Sequence, residues 1–278
     1  MALLEVSYMS NALRRTIPLR VVTPADKAVG DGYANPEGKK YKLMVLLHGL
    51  FGSFVDWTNA TRIQKWAETN NFMVVMPSGD NSFYVDGPAP NNDYGTLIGE
   101  ELPSMMRRMF PVSDKREDTF IAGLSMGGFG ALRNGLKYHE TYGYICAFSS
   151  ALNQLELPLD DPMQNLIGEH KVFGDYEEAK ASDKNPRVCA QMLADARDAG
   201  EDVHLPKIYM SCGTEDGLLR VDRPFAEYLK GLGFDVTWYE GPGEHAWTFW
   251  GPEMEKVIAE FLPLDEASEG IDSGHVEE

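Results

Sequence analysis

Short, continuous apolar runs alternate with longer amphipathic stretches along most of this chain. The opening differs: residues 3–8 and 16–22 read as two strands joined by a polar turn around Asn11, and a loop rich in Gly, Pro and Lys occupies 30–40. Apolar runs then follow at 42–47, 72–76, 119–122, 144–148 and 207–211. Each ends at a turn: His48-Gly49, Pro77-Ser78-Gly79, Gly123, Ser149-Ser150 and Cys212-Gly213. Runs of this length bounded by turn residues fit strands covered on both faces. Between them, 61–69, 96–109, 128–138 and 223–232 read as helices. In 96–109, Leu97, Ile98, Leu102, Met105, Met106 and Met109 recur every three to four positions, a helical period. One more strand is expected at 235–239. The alternation predicts an α/β fold with a mostly parallel central sheet and helices on both faces. Such a sheet takes its ligand beyond the carboxyl ends of its strands.

Residues 151–200 break the rhythm. Short helices are expected at 160–168, 176–182 and 186–197, in a stretch too short to bury a core of its own. The expectation is one domain over 1–263, with 151–200 a small helical insertion lying over the active site like a lid. The end of the chain, 264–278, carries six acids (Asp265, Glu266, Glu269, Asp272, Glu277, Glu278), no Lys or Arg and almost no apolar pattern, and reads as a flexible acidic tail.

Composition narrows the partners. The formal net charge is −18, and the body of the chain is acidic as well as its tail. Such a surface repels phosphates and anionic lipid, so neither nucleic acid nor a membrane is expected as a partner. The three cysteines (Cys146, Cys189, Cys212) are too few and scattered for a disulfide framework or a zinc site. Two of them, Cys146 and Cys212, sit in apolar runs as buried thiols would. The start, Met1-Ala2-Leu3-Leu4-Glu5, has no basic segment or continuous apolar core, and no run approaches the roughly 20 apolar residues of a membrane helix. The expected location is the cytoplasm.

The sharpest chemical signal is Gly123-Leu124-Ser125-Met126-Gly127, with an apolar strand before it and a helix after it. That is the setting in which a G-x-S-x-G pattern projects a nucleophilic serine from a tight strand-to-helix turn. A serine hydroxyl needs a base to take its proton and a third group to orient that base. With this motif the acid and the histidine follow the serine in the chain. His139, His170, His204, His245 and His275 all follow it. His139 closes the helix after the serine, His170 and His204 flank polar segments, and His275 lies in the tail. His245 stands in a loop between the last strand and a helix, where a base is expected. The acid lies in Cys212-Gly213-Thr214-Glu215-Asp216-Gly217, after the strand at 207–211. Asp216, with Gly217 behind it, is preferred to Glu215, and Asp222 lies too far into the next helix. Backbone N–H groups of Met126 and Leu50 are the expected oxyanion donors. His48 has no Cys, His or acid at ligand spacing, so no metal site is expected and the ring is expected to brace its loop. In the loop 78–92, Phe83 and Tyr84 are candidates to line a substrate pocket.

Taken together, Leu46-Leu47-His48-Gly49-Leu50-Phe51-Gly52 with Asp56-Trp57, then Gly123-Leu124-Ser125-Met126-Gly127-Gly128, Cys212-Gly213-x-x-Asp216 and Gly243-x-His245-x-Trp247 resemble the esterase D family. The similarity is greatest to the bacterial tributyrin esterases and their acetyl-, cinnamoyl- and feruloyl-esterase relatives, and it covers residues 3–262. The resemblance implies an α/β-hydrolase fold acting without a cofactor on small-molecule short-chain acyl esters. It implies Ser125 as nucleophile, His245 as base and Asp216 as its orienter, with Leu50 and Met126 at the oxyanion hole. It also places Trp57, and with it Phe51, near the substrate, and implies a homo-oligomer. Related S-formylglutathione hydrolases carry a Ser-Gly-Leu-Thr-Cys-type loop where this chain has His-Gly-Leu-Phe-Gly, which counts against a glutathione thioester. Two other classes use the same residues: an acyltransferase passing the acyl group to an acceptor other than water, and a binding protein on a hydrolase scaffold. The intact set of three groups counts against the latter.

Overall fold

The apolar runs are continuous because their two sets of side chains feed two cores. In the strand Lys42–Leu47, Leu43, Val45 and Leu47 face one side of the sheet while Met44 and Leu46 face the other. The same alternation holds in Phe72–Pro77, where Met73 and Val75 oppose Phe72, Val74 and Met76, as the two-residue period of a strand requires. In the computed structural model, which describes residues 2–26, 28–29, 32–33, 40–156 and 172–264, these strands belong to one eight-stranded sheet. In chain order they are β1 (Ala2–Ser10), β2 (Arg15–Thr23), β3 (Lys42–Leu47), β4 (Phe72–Pro77), β5 (Thr119–Leu124), β6 (Tyr144–Phe148), β7 (Lys207–Gly213) and β8 (Val236–Gly241).

Their spatial order is β1-β2-β4-β3-β5-β6-β7-β8. Only β2 runs against the rest: it pairs antiparallel with β1 and β4, and every other pairing is parallel. The strand order reverses around β3, which has β4 on one side and β5 on the other. A parallel sheet opens a crevice at such a point.

The α-helices of four or more described residues are α1 (Asp56–Ala60), α2 (Ile63–Thr69), α3 (Leu102–Met109), α4 (Met126–Lys137), α5 (Asn153–Glu156), α6 (Tyr176–Lys180), α7 (Pro186–Asp198), α8 (Leu219–Gly231) and α9 (Trp247–Glu260). On one face, α3, α4, α7 and α8 bury Met105, Phe129, Leu193 and Phe225. On the other, α1, α2 and α9 bury Trp57, Trp66, Met254 and Val257. The stretch expected as one helix over 96–109 contains a π-turn at Leu97–Glu101 before α3. Of the stretch 151–200, α7 turns out to be the crossover between β6 and β7, its Cys189, Ala190 and Leu193 buried in the same core as α4. The helix expected at 160–168 and the tail at 265–278 lie outside the described residues.

Candidate active site

Ser125 caps α4 with φ 54° and ψ −117°, a sparsely populated conformation that costs an L-residue about 1–3 kcal/mol. The flanking glycines hold it there. A Cβ on Gly127 would sit 2.5 Å from the Leu47 carbonyl oxygen and 2.7 Å from that of His48, and one on Gly123 would collide with the backbone of Gly127. Backbone cannot swing aside as a side chain can, so only glycine lets the turn press against the end of β3. The serine's peptide groups are fixed too. Ser125 N–H donates to Phe148 O (2.9 Å), and Ser125 O accepts from Phe129 N–H (3.0 Å) and Ala151 N–H (3.0 Å).

Asp216 lies in the turn between β7 and α8, its side chain buried. One carboxylate oxygen accepts Leu218 N–H (2.9 Å) and the other is 2.7 Å from His245 Nδ1. Burial pushes its pKa up, but the bonds from His245 and Leu218 N–H outweigh that, leaving it below the ordinary aspartate value. Ionised, it can only accept, so Nδ1 of His245 carries the proton. Nε2 is then free to accept from the Ser125 hydroxyl, 3.1 Å away. The Trp250 ring stands edge-on to His245 with centroids 4.8 Å apart. The Trp250 indole N–H donates to Ser149 Oγ (3.0 Å), and the nearby Ser149 side chain helps to lower the Asp216 pKa.

Glu215, the neighbouring acid, does different work. It faces solvent and its Oε2 accepts Gly243 N–H at 2.6 Å, which holds its carboxyl below the ordinary glutamate value. With Glu215 N–H donating to Gly243 O (3.1 Å) and Thr214 N–H to Gly241 O (2.8 Å), it ties the acid turn to the loop carrying His245.

The three side chains meet at a cavity of about 460 Å³. Leu50 and Phe51 line it from the loop after β3, Asn153 and Gln154 from α5, and Trp247 and Trp250 from α9. Gly49 O takes bonds from His48 Nδ1 (2.7 Å) and Gly52 N–H (3.2 Å). Leu50 N–H belongs to the same peptide and points the opposite way. Met126 is the first residue of α4, so its N–H has no carbonyl in its own helix.

Three expected pocket residues are placed elsewhere. Trp57 is buried on the α1 face, its indole N–H donating to Leu47 O (3.0 Å). Phe83 is sealed between Phe129 and Phe173, ring centroids 5.4 Å from each. Tyr84 is likewise fully buried, its ring against Gly130 and its hydroxyl donating to His48 O (3.0 Å). An aromatic ring gains more from a dry core than from a wet cavity wall, and the loop turns inward to supply one. Phe51, by contrast, is at the cavity and 75% exposed. His48 does brace its loop. Nε2 accepts Gly79 N–H (2.8 Å), so Nδ1 bears the proton donated to Gly49 O, and burial lowers the ring's pKa, keeping it neutral. The sequence reading gave no site role to Ser149 or Trp250, and it placed Asn153 and Gln154 at the site only as part of the segment 151–200. Trp247 and Trp250, one helical turn apart just after His245, were the available signal.

Comparison with known proteins gives the family. The sequence model of the Esterase family, described as "Putative esterase", matches residues 10–261. An acetyl esterase of Caldicellulosiruptor saccharolyticus is 36% identical over 257 residues, covering 90% of this chain and 94% of that protein. Among solved structures, the fluorophosphonate-binding serine hydrolase FphF of Staphylococcus aureus matches with TM-score 0.78 at 25% identity, over 93% of this chain and 97% of that one. The S-formylglutathione hydrolase FrmB of the same organism matches with TM-score 0.75 at 26% identity and the same coverage. Among the described residues, no helix is long and apolar enough to cross a membrane.

Proposed function

This chain belongs to the Esterase family and is an ester-hydrolysing enzyme, and on that premise we propose that Ser125, His245 and Asp216 hydrolyse short-chain acyl esters through a covalent acyl-enzyme. The observation that carries the assignment is the unbroken relay from Asp216 through His245 to Ser125, at 2.7 and 3.1 Å, opening on the cavity. Ser125 Oγ attacks the ester carbonyl carbon while His245 Nε2 takes its proton. The oxyanion is held by Leu50 and Met126 N–H. The tetrahedral intermediate collapses, the C–O bond to the alcohol breaks, and the alcohol leaves with the proton from His245. Water then attacks the acyl-Ser125 ester by the same route, releasing the acid and restoring the serine. A cavity of about 460 Å³ is at the small end of ligand sites. Its size and the acetyl esterase relative support acetyl to butyryl groups as the acyl part.

The test is initial-rate hydrolysis of p-nitrophenyl esters from acetate to octanoate, with a fluorophosphonate label located by mass spectrometry. The expected result is highest kcat/KM at acetate or butyrate and label on Ser125, both lost in Ser125→Ala. Undiminished turnover in that variant would remove Ser125 from the mechanism.

A further inference from the structure

Directly behind the relay lies a second carboxyl group that it does not use. Asp222, in the first turn of α8, is fully buried. Its Oδ2 accepts Ser150 N–H at 2.7 Å, and its Oδ1 has no hydrogen-bond partner among the described residues. The Cys212 thiol and the Asp216 carboxylate are close enough to act on it. We propose that Asp222 is a positioning residue for the nucleophile and works as an uncharged carboxylic acid. This rests on the esterase reading of Ser125.

The connection runs through three loops. Asp222 N–H donates to Leu218 O (3.0 Å), and Leu218 N–H is bonded to Asp216, so the acid turn and Asp222 are one rigid unit. From that unit Oδ2 holds the peptide of Ser150. Ser149, next to it, has φ 44°, a conformation that needs outside support. The following residue, Ala151, donates its N–H to Ser125 O. Asp222 therefore fixes, from the acid side, the segment that grips the nucleophile's own peptide. It also fixes the backbone that carries Ser149, whose hydroxyl oxygen accepts the indole N–H of Trp250, the ring that stands against His245.

The uncharged state follows from the surroundings. A sealed carboxylate with one N–H donor, a neighbouring carboxylate and no cation acting on it among the described residues is an unpaired buried charge, which proteins avoid by keeping the proton. Burial accordingly holds the Asp222 carboxyl well above the ordinary aspartate range. The Ser150 N–H bond opposes this and the Asp216 charge adds to it. A neutral acid places no second negative charge behind His245 and still offers the acceptor that Ser150 needs.

The experiment compares Asp222→Asn and Asp222→Leu on the preferred p-nitrophenyl ester, with wild type and Ser125→Ala as references and thermal melts as the fold check. If wild type is active and Ser125→Ala is not, the esterase reading stands and the two variants report on Asp222 alone. Asn copies the neutral acid, so kcat should stay within about threefold of wild type. Leu keeps the volume but leaves Ser150 N–H without an acceptor, so kcat should fall at least about tenfold with KM changed less than twofold. If Asp222→Leu does not fold, Asp222→Ala takes its place. A loss in Asp222→Asn as large as in Asp222→Leu would show that the charge is needed. An acceptor-free variant at the wild-type rate would show that nothing is being positioned. Either result overturns the proposal.

Discussion

Two loops flank the end of β3, and both carry residues in backbone conformations that side chains rarely adopt. After β5 the residue is Ser125; after β4 they are Asp80, Phe83, Tyr84 and Asn91. At Ser125 the twist turns a small polar side chain toward the cavity, and hydrogen bonds on both sides of the residue hold it there. At Phe83 and Tyr84 it drives two aromatic rings into the core, where packing offsets the strain. The second loop still serves the site from behind. Gly79 N–H bonds His48, Tyr84 hydroxyl bonds His48 O, and Asn81 Oδ1 accepts Phe51 N–H at 2.8 Å. One loop presents the Ser125 hydroxyl to the cavity and the other braces the backbone of His48 and Phe51. Strain alone does not mark chemistry; what the strained side chain meets decides its role.

If that division is right, the largest effects on rate belong to groups in the relay, with little cost to the fold. Asp216→Asn keeps the shape and the Leu218 contact but removes the acceptor that keeps the proton on His245 Nδ1. The expected loss in kcat is about ten-thousand-fold, with a melting temperature near wild type, measured by steady-state kinetics and calorimetry. The pH dependence of stability has a fixed sign. Because the folded pKa of Asp216 is depressed, its contribution is present above the ordinary aspartate range and disappears as pH falls through the folded value. Wild type should therefore lose stability faster than Asp216→Asn on acidification below about pH 4, read from urea midpoints.

The loop after β5 could be read from sequence because its causes are close at hand: two glycines, a strand before and a helix after. The order of strands and helices was equally legible, since each strand's two faces are written in its own residues. Choosing Asp216 over Glu215 was harder. Adjacent turn residues point opposite ways, and here one points inward to His245 and the other outward to Gly243. The aromatic residues of the loop after β4 were misread because nothing local distinguishes a ring on a cavity wall from one packed on Phe129 and Gly130. Asp222, set aside as the acid because it lies in the next helix, gave no local sign of its contact with Ser150, which it meets across 72 positions of chain.

The bracing loop should show the reverse balance, stability before rate. Phe83→Ala removes a ring held by two others and should cost about 3–5 kcal/mol in unfolding free energy, seen as a lowered urea midpoint. Where the variant is folded, kcat should fall less than about fivefold. A loss of more than a hundredfold in a folded protein would place Phe83 at the substrate and erase the distinction between the loops. Tyr84→Phe removes only the hydroxyl bond to His48 O and should cost about 1–2 kcal/mol, again with kcat nearly kept.

The smallest effect falls at Phe51, where the two regions meet. Its backbone is held by Asn81 of the bracing loop, while its ring, three-quarters exposed, stands at the cavity. Truncating an exposed ring leaves the core untouched, so the stability of Phe51→Ala should stay within about 0.5 kcal/mol of wild type. A ring that meets substrate in the ground state and the transition state alike contributes uniform binding, so its removal raises KM and spares kcat. Partial burial of the ring against an ester is worth about 0.7 kcal/mol, which is a threefold rise in KM. That rise should be larger for esters of bulky alcohols than for methyl esters if the ring covers the alcohol side of the site. A fall in kcat instead would mean that the ring holds Leu50 N–H in place, joining Phe51 to the bracing loop and not to the substrate.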